Sequence, residues 1–389
     1  MIDNLPSVWK IEKLENISKI QAGGTPSRTK SEYWNGNIPW LKISNLKSKF
    51  TDKATEFITE EGLKNSSTKL FEENTILYTI FATLGEVSIL KIKATTNQAI
   101  AGITITNSNV SLEYIYYYLK SIKEKVINEG RGVAQNNINL SILRNIEIPI
   151  PPLQQQEKIV KVLDLSSNLI EKQKELLKNY DLFLKSKFIE MFGDPITNPM
   201  DWEVVKCIDV ADCIVPGRDK PKSFTGNIPW ITTGDLKDKG IISKSKENIG
   251  LSQNEIKEVK AKLIPKNSVI FTCVGDLGIC SIINEDIIMN QQLHSFQCKE
   301  KVNNIFLMFN ITMQKSYMYK MATSTTVPYM NKTTCNNIPT ILPPLELQNK
   351  FASIVEKIEI IKEKENQKLK QFEDLHNSMM NKAFKGEIK

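Results

Sequence analysis

Apolar residues recur along the chain with two different periods. After Pro151 a stripe of Ile159, Leu163, Ile170, Leu177, Tyr180 and Leu184 advances in steps of four and three, with Ser166 and Gln173 filling its gaps. After Pro343 the residues Ile354, Ile358, Ile361, Phe372, Leu375 and Met379 do the same, interrupted by Glu365 and Lys368. Each stripe is the heptad-like seam of a long helix. The pairs Pro151-Pro152 and Pro343-Pro344 set the starts, because proline blocks helix continuation upstream. A run of about 37 residues makes a rod of roughly 55 Å. Neither helix can hide its stripe alone, so the economical arrangement is an antiparallel pair. The other solution packs each helix only on its own domain.

Ahead of each helix the pattern shortens. Residues 75–80, 87–92, 103–106 and 146–150 are β-branched runs flanked by turn residues and read as strands. Residues 112–128 read as a helix, with apolar side chains at 115, 119, 122 and 126, and a matching helix falls near 303–321. The expected class is α+β, with mixed α/β globular parts joined to long helices.

The chain also repeats itself. Gly36-Asn37-Ile38-Pro39-Trp40 recurs as Gly226-Asn227-Ile228-Pro229-Trp230, Trp9 pairs with Trp202, and Gly85 with Gly278. Asn97-Gln98 pairs with Asn290-Gln291, and residues 74–79 with 267–272. Asn145-Ile146 leads to Pro151-Pro152-Leu153 as Asn337-Ile338 leads to Pro343-Pro344-Leu345. The offset drifts only from 190 (36 to 226) to 193 (74 to 267). Such a period is too long for a solenoid repeat. It predicts two copies of one domain plus connector, related by a pseudo-two-fold. The expected boundaries are 1–150 and 193–342 for the globular domains, with helices in 151–192 and 343–389.

Composition removes several classes. The chain has 389 residues, of which 41% are hydrophobic and 24% charged, enough to bury real cores. Lys+Arg 51 less Asp+Glu 44 leaves +7, a mild basic excess compatible with a polyanionic partner. The start, Met-Ile-Asp-Asn-Leu-Pro, has no basic region followed by an apolar run, and the most apolar stretch, 75–90, is broken by Thr79, Thr83 and Glu86. A cytoplasmic protein without a membrane span is expected. All six cysteines lie in the second half without a C-x-x-C spacing, and only His294 and His376 supply imidazoles. Reduced, packed thiols are expected, and no metal site.

Little points to catalysis. There is no phosphate-binding G-x-x-x-x-G-K-[ST] loop and no G-x-G-x-x-G fingerprint. Asn198-Pro199-Met200-Asp201 lacks the second proline and the aromatic of an amino-methyltransferase loop. Glu258-x-Lys260 downstream of Asp238 only loosely mimics a nuclease pattern, and His294 aligns with Ala101 of the first copy. Binding is the better class. Thr25, Ser27, Arg28 and Lys30 lie in a turn-rich loop before the first Ile-Pro-Trp, and Arg218, Lys220 and Lys222 before the second. Arg131, Gln135, Asn136, Asn137 and Asn139 form another polar cluster; Thr325, Thr326, Tyr329, Asn331 and Lys332 occupy its place in copy two. Arg, Lys, Asn and Gln read base edges, while Ser, Thr and Lys hold phosphates. Singly, each residue also reads as part of a solvated loop; at equivalent places in both copies they predict a shared DNA-binding surface.

At this point the chain resembles a type I restriction–modification specificity subunit. The resemblance rests on the Gly-x-x-Pro-Ser-Arg-type loop running into G-N-I-P-W-[L/I]-[K/T], on the [N/R]-N-I-x-[I/T]-x-[I/L]-P-P-L-x-x-Q segment, and on the long helix that follows. Copy two keeps Arg218 but replaces Gly-Gly-Thr-Pro-Ser with Ile-Val-Pro-Gly. The resemblance implies two target-recognition domains, each reading one half of a split double-stranded DNA sequence. It implies helices that act as a spacer and dock two methyltransferase subunits, which supply S-adenosylmethionine binding and adenine methylation. Restriction/translocase subunits would join them, and this chain would bind no cofactor and catalyse nothing. Three rivals stay open: a stand-alone DNA methyltransferase or nuclease with a degenerate site, a two-domain DNA-binding regulator, and a subunit of another defence effector. Methyl transfer by the purified chain would favour the first, and a neighbouring methylase gene would argue against the second.

Overall fold

The computed structural model describes residues 5–130, 138–217, 219–323 and 326–388. The chain divides into two compact units: one joins residues Met1–Lys174 to Gln367–Lys389, and the other is the continuous stretch Glu175–Asn366.

In the first unit the β-branched runs form a five-stranded sheet. Its strands are β1 (Ser18–Ala22), β2 (Phe50–Thr51), β3 (Ile76–Thr79), β4 (Val87–Leu90) and β5 (Ile100–Ile105), in the order β1-β5-β3-β4-β2. All pairings are antiparallel except β2 with β4. A four-stranded sheet orders Glu56–Ile58, Trp34–Leu41, Ala94–Thr96 and Leu70–Phe71. Lys10–Lys13 pairs antiparallel with Glu147–Ile150, Lys10 opposite Ile150, so the start of the domain closes on its end. The helix Leu112–Ser121 buries a tyrosine-rich face, and Tyr114, Ile115 and Leu119 share a core with Ile76, Tyr78 and Ile89.

The second unit repeats this plan. Strands β6 (Ala211–Ile214), β7 (Gly240–Ile242), β8 (Val269–Thr272), β9 (Cys280–Ile283) and β10 (Leu293–Cys298) run in the order β6-β10-β8-β9-β7. Val204–Lys206 pairs with Pro339–Ile341, as the corresponding strands do in the first unit. The repeated glycines have a backbone reason. Gly85 and Gly278 have φ of 75° and 76°, the left-handed region open to glycine, and donate to the Thr79 and Thr272 carbonyls.

The helix expected over 112–128 is two helices, Leu112–Ser121 and Lys123–Gly130, and its counterpart divides likewise into Asn304–Met313 and Lys315–Met321. The pattern hides the break because the junction residues Ile122 and Gln314 are themselves buried.

The long helices span Leu153–Phe192 and Leu345–Phe384. At ~1.5 Å per residue each is about 60 Å long. Within the first unit Ser166 Oγ meets His376 Nδ1 at 2.8 Å and Lys174 pairs with Glu373 at 3.0 Å, an antiparallel sense. Within the second, Lys362 Nζ donates to Asp181 at 2.7 Å and Phe188 packs on Phe351. The first stripe is buried or half-buried as expected from Ile159 to Leu184 and continues through Phe188 and Phe192. The second stripe holds at Ile354, Ile358, Phe372 and Met379, which are half-buried, and departs at two places. Ile361 and Leu375 are 38% and 41% exposed, whereas their neighbours Lys362 and His376 are buried. An apolar heptad pattern does not mark those two because they are polar, yet each finds a partner across the seam.

Candidate nucleic-acid interface

In the first unit the candidate loop is tied to its own scaffold. A Cβ on Gly23 would lie 2.4 Å from the Asn97 carbonyl, and one on Gly24 2.5 Å from the Thr68 nitrogen, so only glycine fits there. Trp40 Nε1 donates to the Gly24 carbonyl at 3.0 Å and Trp34 Nε1 to the Ser27 carbonyl at 3.1 Å. The two indoles meet edge to face, their centroids 5.0 Å apart. Arg28 lies over the Trp34 ring at 3.6 Å and reaches the Glu56 carboxylate at 2.6 Å. Glu56 also binds Lys42, and this ammonium first, then Arg28, holds its carboxyl below the usual carboxylate range. The guanidinium plane is therefore fixed while the side chain stays half-exposed. Lys30 Nζ donates to the Tyr33 hydroxyl at 2.9 Å, Ser27 Oγ lies 2.8 Å from Thr29 Oγ1, and the Thr25 hydroxyl donates to Gln98 Oε1.

The second unit solves the same problem differently. Phe224 and Trp230 replace the indole pair, with centroids 5.8 Å apart. The Glu255 carboxylate accepts from the Ser223 hydroxyl at 2.6 Å and from the Thr225 and Ser252 amides. These bonds, Ser223 first, pull its pKa down to about 2. Gln291 Nε2 donates to the Gly217 carbonyl at 3.1 Å and to that of Asp219 at 3.3 Å. Lys220 and Lys222 are exposed beside them; Arg218 lies outside the described residues.

Of the second polar cluster, Arg131, Gln135, Asn136, Asn137 and Thr325 lie outside the described residues. Asn139 and Asn331 cap matching short helices, accepting from the Ile142 amide at 2.8 Å and the Thr334 amide at 2.9 Å. Thr326, Tyr329 and Lys332 are exposed, and the Tyr329 carbonyl accepts from the Thr323 amide.

Backbone hydrogen bonds gather these segments at one end of each sheet. In the first unit Gly24 donates to Thr96, Ile80 to Ala99, and Ile138 to Ile80. In the second, Cys273 donates to Gln292, Gly275 to Pro328, and Met330 to Cys273. Among the described residues each unit therefore brings into one band the glycine-bearing loop, the Asn-Gln turn, the loop after the central strand, and the residue leading into the capped helix. The first and last of these are legible in the sequence. The Asn-Gln repeat is visible there too, but the contacts of Gln98 and Gln291 with the loops are not.

Burial pushes His294 down to about 4, and its Nε2 sits 3.1 Å from Asn336 Oδ1 and 3.3 Å from Cys213 Sγ, so it is a neutral packed ring. The six cysteines are free thiols. Among the described residues no three His, Cys, Asp or Glu side chains cluster closely enough to hold a metal ion, and no helix is long and apolar enough to cross a membrane.

The family model of the type I restriction modification DNA specificity domain matches residues 6–179 and again 199–371. The chain is 29% identical over 385 residues to the type I restriction enzyme MjaIX specificity subunit of Methanocaldococcus jannaschii, covering 91% of this chain and 88% of that protein. It is 31% identical over 193 residues to the EcoR124I/EcoR124II specificity subunit of Escherichia coli, covering 48% and 47%. Among solved structures it is similar to one described for complex assembly and conformational transition of the type I R-M system, with a TM-score of 0.59, 17% identity, and coverage of 98% and 99%. It is also similar to the type I restriction-modification S subunit from M. genitalium, with a TM-score of 0.52, 14% identity, and coverage of 99% and 97%. At these identities the structural likeness is one of fold.

Proposed function

The chain belongs to the type I restriction–modification DNA specificity family, and we propose that each of its two units reads one half of a split duplex target. It is a DNA-recognition subunit and not itself the catalyst. The observation that carries the bipartite reading is the loop band, built twice on the same scaffold but with different side chains. In this reading Thr25, Ser27, Arg28, Lys30, Arg131 and the 135–139 cluster serve the first half-site. Arg218, Lys220, Lys222, Thr325, Thr326, Tyr329, Asn331 and Lys332 serve the second. The domains are those of residues 1–150 and 193–342, and the intervening helices set the gap between half-sites. Two methyltransferase subunits dock on the helices and bring S-adenosylmethionine, restriction/translocase subunits complete the assembly, and it acts in the cytoplasm.

Mapping methylated motifs genome-wide with and without this gene tests the reading. One interrupted, asymmetric motif should vanish with the gene. An uninterrupted or palindromic motif would overturn it. Arg131→Ala and Arg218→Ala should then each cost about 1–3 kcal/mol of binding, at different halves. Equal losses on all DNA would make both residues phosphate contacts.

A further inference from the structure

The dipeptide Asn-Gln occurs at the same point of both units and is built into the same device. Asn97 and Asn290 donate their amides to the Leu41 and Ile231 carbonyls, both at 2.9 Å, directly after the repeated Ile-Pro-Trp. Each asparagine side chain then accepts from the amide two residues on, Asn97 from Ala99 at 3.2 Å and Asn290 from Gln292 at 3.1 Å. That local turn leaves the glutamine between them exposed and aimed at the candidate loop. Gln98 accepts the Thr25 hydroxyl through Oε1, whereas Gln291 donates through Nε2 to the Gly217 and Asp219 carbonyls. The same residue therefore holds two different loops by opposite ends of its amide.

We propose that Gln98 and Gln291 are positioning residues that latch the DNA-reading loop of their own unit, Gln98 as an acceptor and Gln291 as a donor. The inference rests on the bipartite reading above. A loop held from its turn presents its side chains in one geometry. A loop released still carries the same charges, so it should lose base discrimination while keeping phosphate attraction.

The test selects a random-sequence duplex library on the full-length chain co-produced with its partner subunits. Gln98→Ala should flatten one half-site, lowering its enrichment over one-base variants on the order of tenfold, with the other half unchanged. Gln291→Ala should flatten the other. Gln98→Glu keeps the acceptor and should retain its half-site; Gln291→Glu loses the donor and should lose its own. The added negative charge lowers affinity for all DNA, so the readout is the ratio of specific to non-specific binding. Thermal unfolding of each variant shows whether it folds. Loss of both halves in one variant, loss of affinity with discrimination intact in either alanine variant, or equal behaviour of the two glutamates would overturn the latch. A wild-type chain that enriches no bipartite motif would instead overturn the reading on which the latch rests.

Discussion

Arg28 and Glu255 do comparable work in the two units from opposite sides of the charge scale. Arg28 fixes its loop as a cation, laid on Trp34 and paired with Glu56. Glu255 fixes the segment before the second Ile-Pro-Trp as an anion receiving the Ser223 hydroxyl and the Thr225 amide. Its carboxyl is lowered from 4.5 to about 2, so the folded state favours the ionised form. The stabilisation is fully present above the unfolded value of 4.5 and is lost as pH falls through 2. The melting temperature of the second unit should therefore fall more steeply between pH 4.5 and 2 in the natural chain than in Glu255→Gln. Parallel curves would mean that the carboxylate does not hold the loop. None of these partnerships was legible in the sequence. Position was, because Arg28 and Arg218 flank repeated strings. Partners were not, since Glu56 is 28 residues from Arg28 and Gln98 is 73 from Thr25, and only the sheet order brings them together. Asn139 and Asn331 show the converse. Both are expected at the DNA surface, and in each the side-chain oxygen also caps a helix, a role their position in the sequence does not disclose.

At the scale of elements, periodicity served well where the buried side chains are apolar and failed where they are polar. The first long helix follows its expected stripe, Ser166 and Gln173 included, because the stripe is continuous enough to carry polar members. In the second, Ile361 and Leu375 stand beside the buried Lys362 and His376, and at those two places the apolar count is off by one. The corrected seam makes a contrast that denaturant unfolding can measure. Leu163 is fully buried, so Leu163→Ala should cost about 2–5 kcal/mol. Leu375 is 41% exposed, so Leu375→Gln should stay within about 0.5 kcal/mol. Similar costs at the two positions would restore the apolar register.

For the whole molecule, the duplication was the most legible feature, since conserved order at a near-constant offset does not depend on any single assignment. The proposed spacer role of the helices belongs to this scale. Four residues inserted after Gln173 add about one turn, ~6 Å, close to two base-pair steps, and keep the seam nearly in phase. Methylation mapping should then find the same half-site sequences with a gap longer by one or two base pairs. An unchanged gap in an active complex would show that the helices do not measure it, and altered half-sites would show that the units do not read independently.

The first unit draws part of its core from residues that the ribosome delivers late. Phe384 lies against Tyr114 and Tyr118, with ring centroids 5.5 and 5.2 Å away, and the Ile388 carbonyl accepts from Gln155 Nε2 at 2.9 Å. Everything the second unit contains, residues Glu175–Asn366, has been synthesised before Met380, Ala383 and Phe384 appear. The half of the protein made first is thus the half finished last. During translation its tyrosine-lined face waits uncovered, a window in which a nascent chain is open to chaperones and to mispairing with a neighbouring copy.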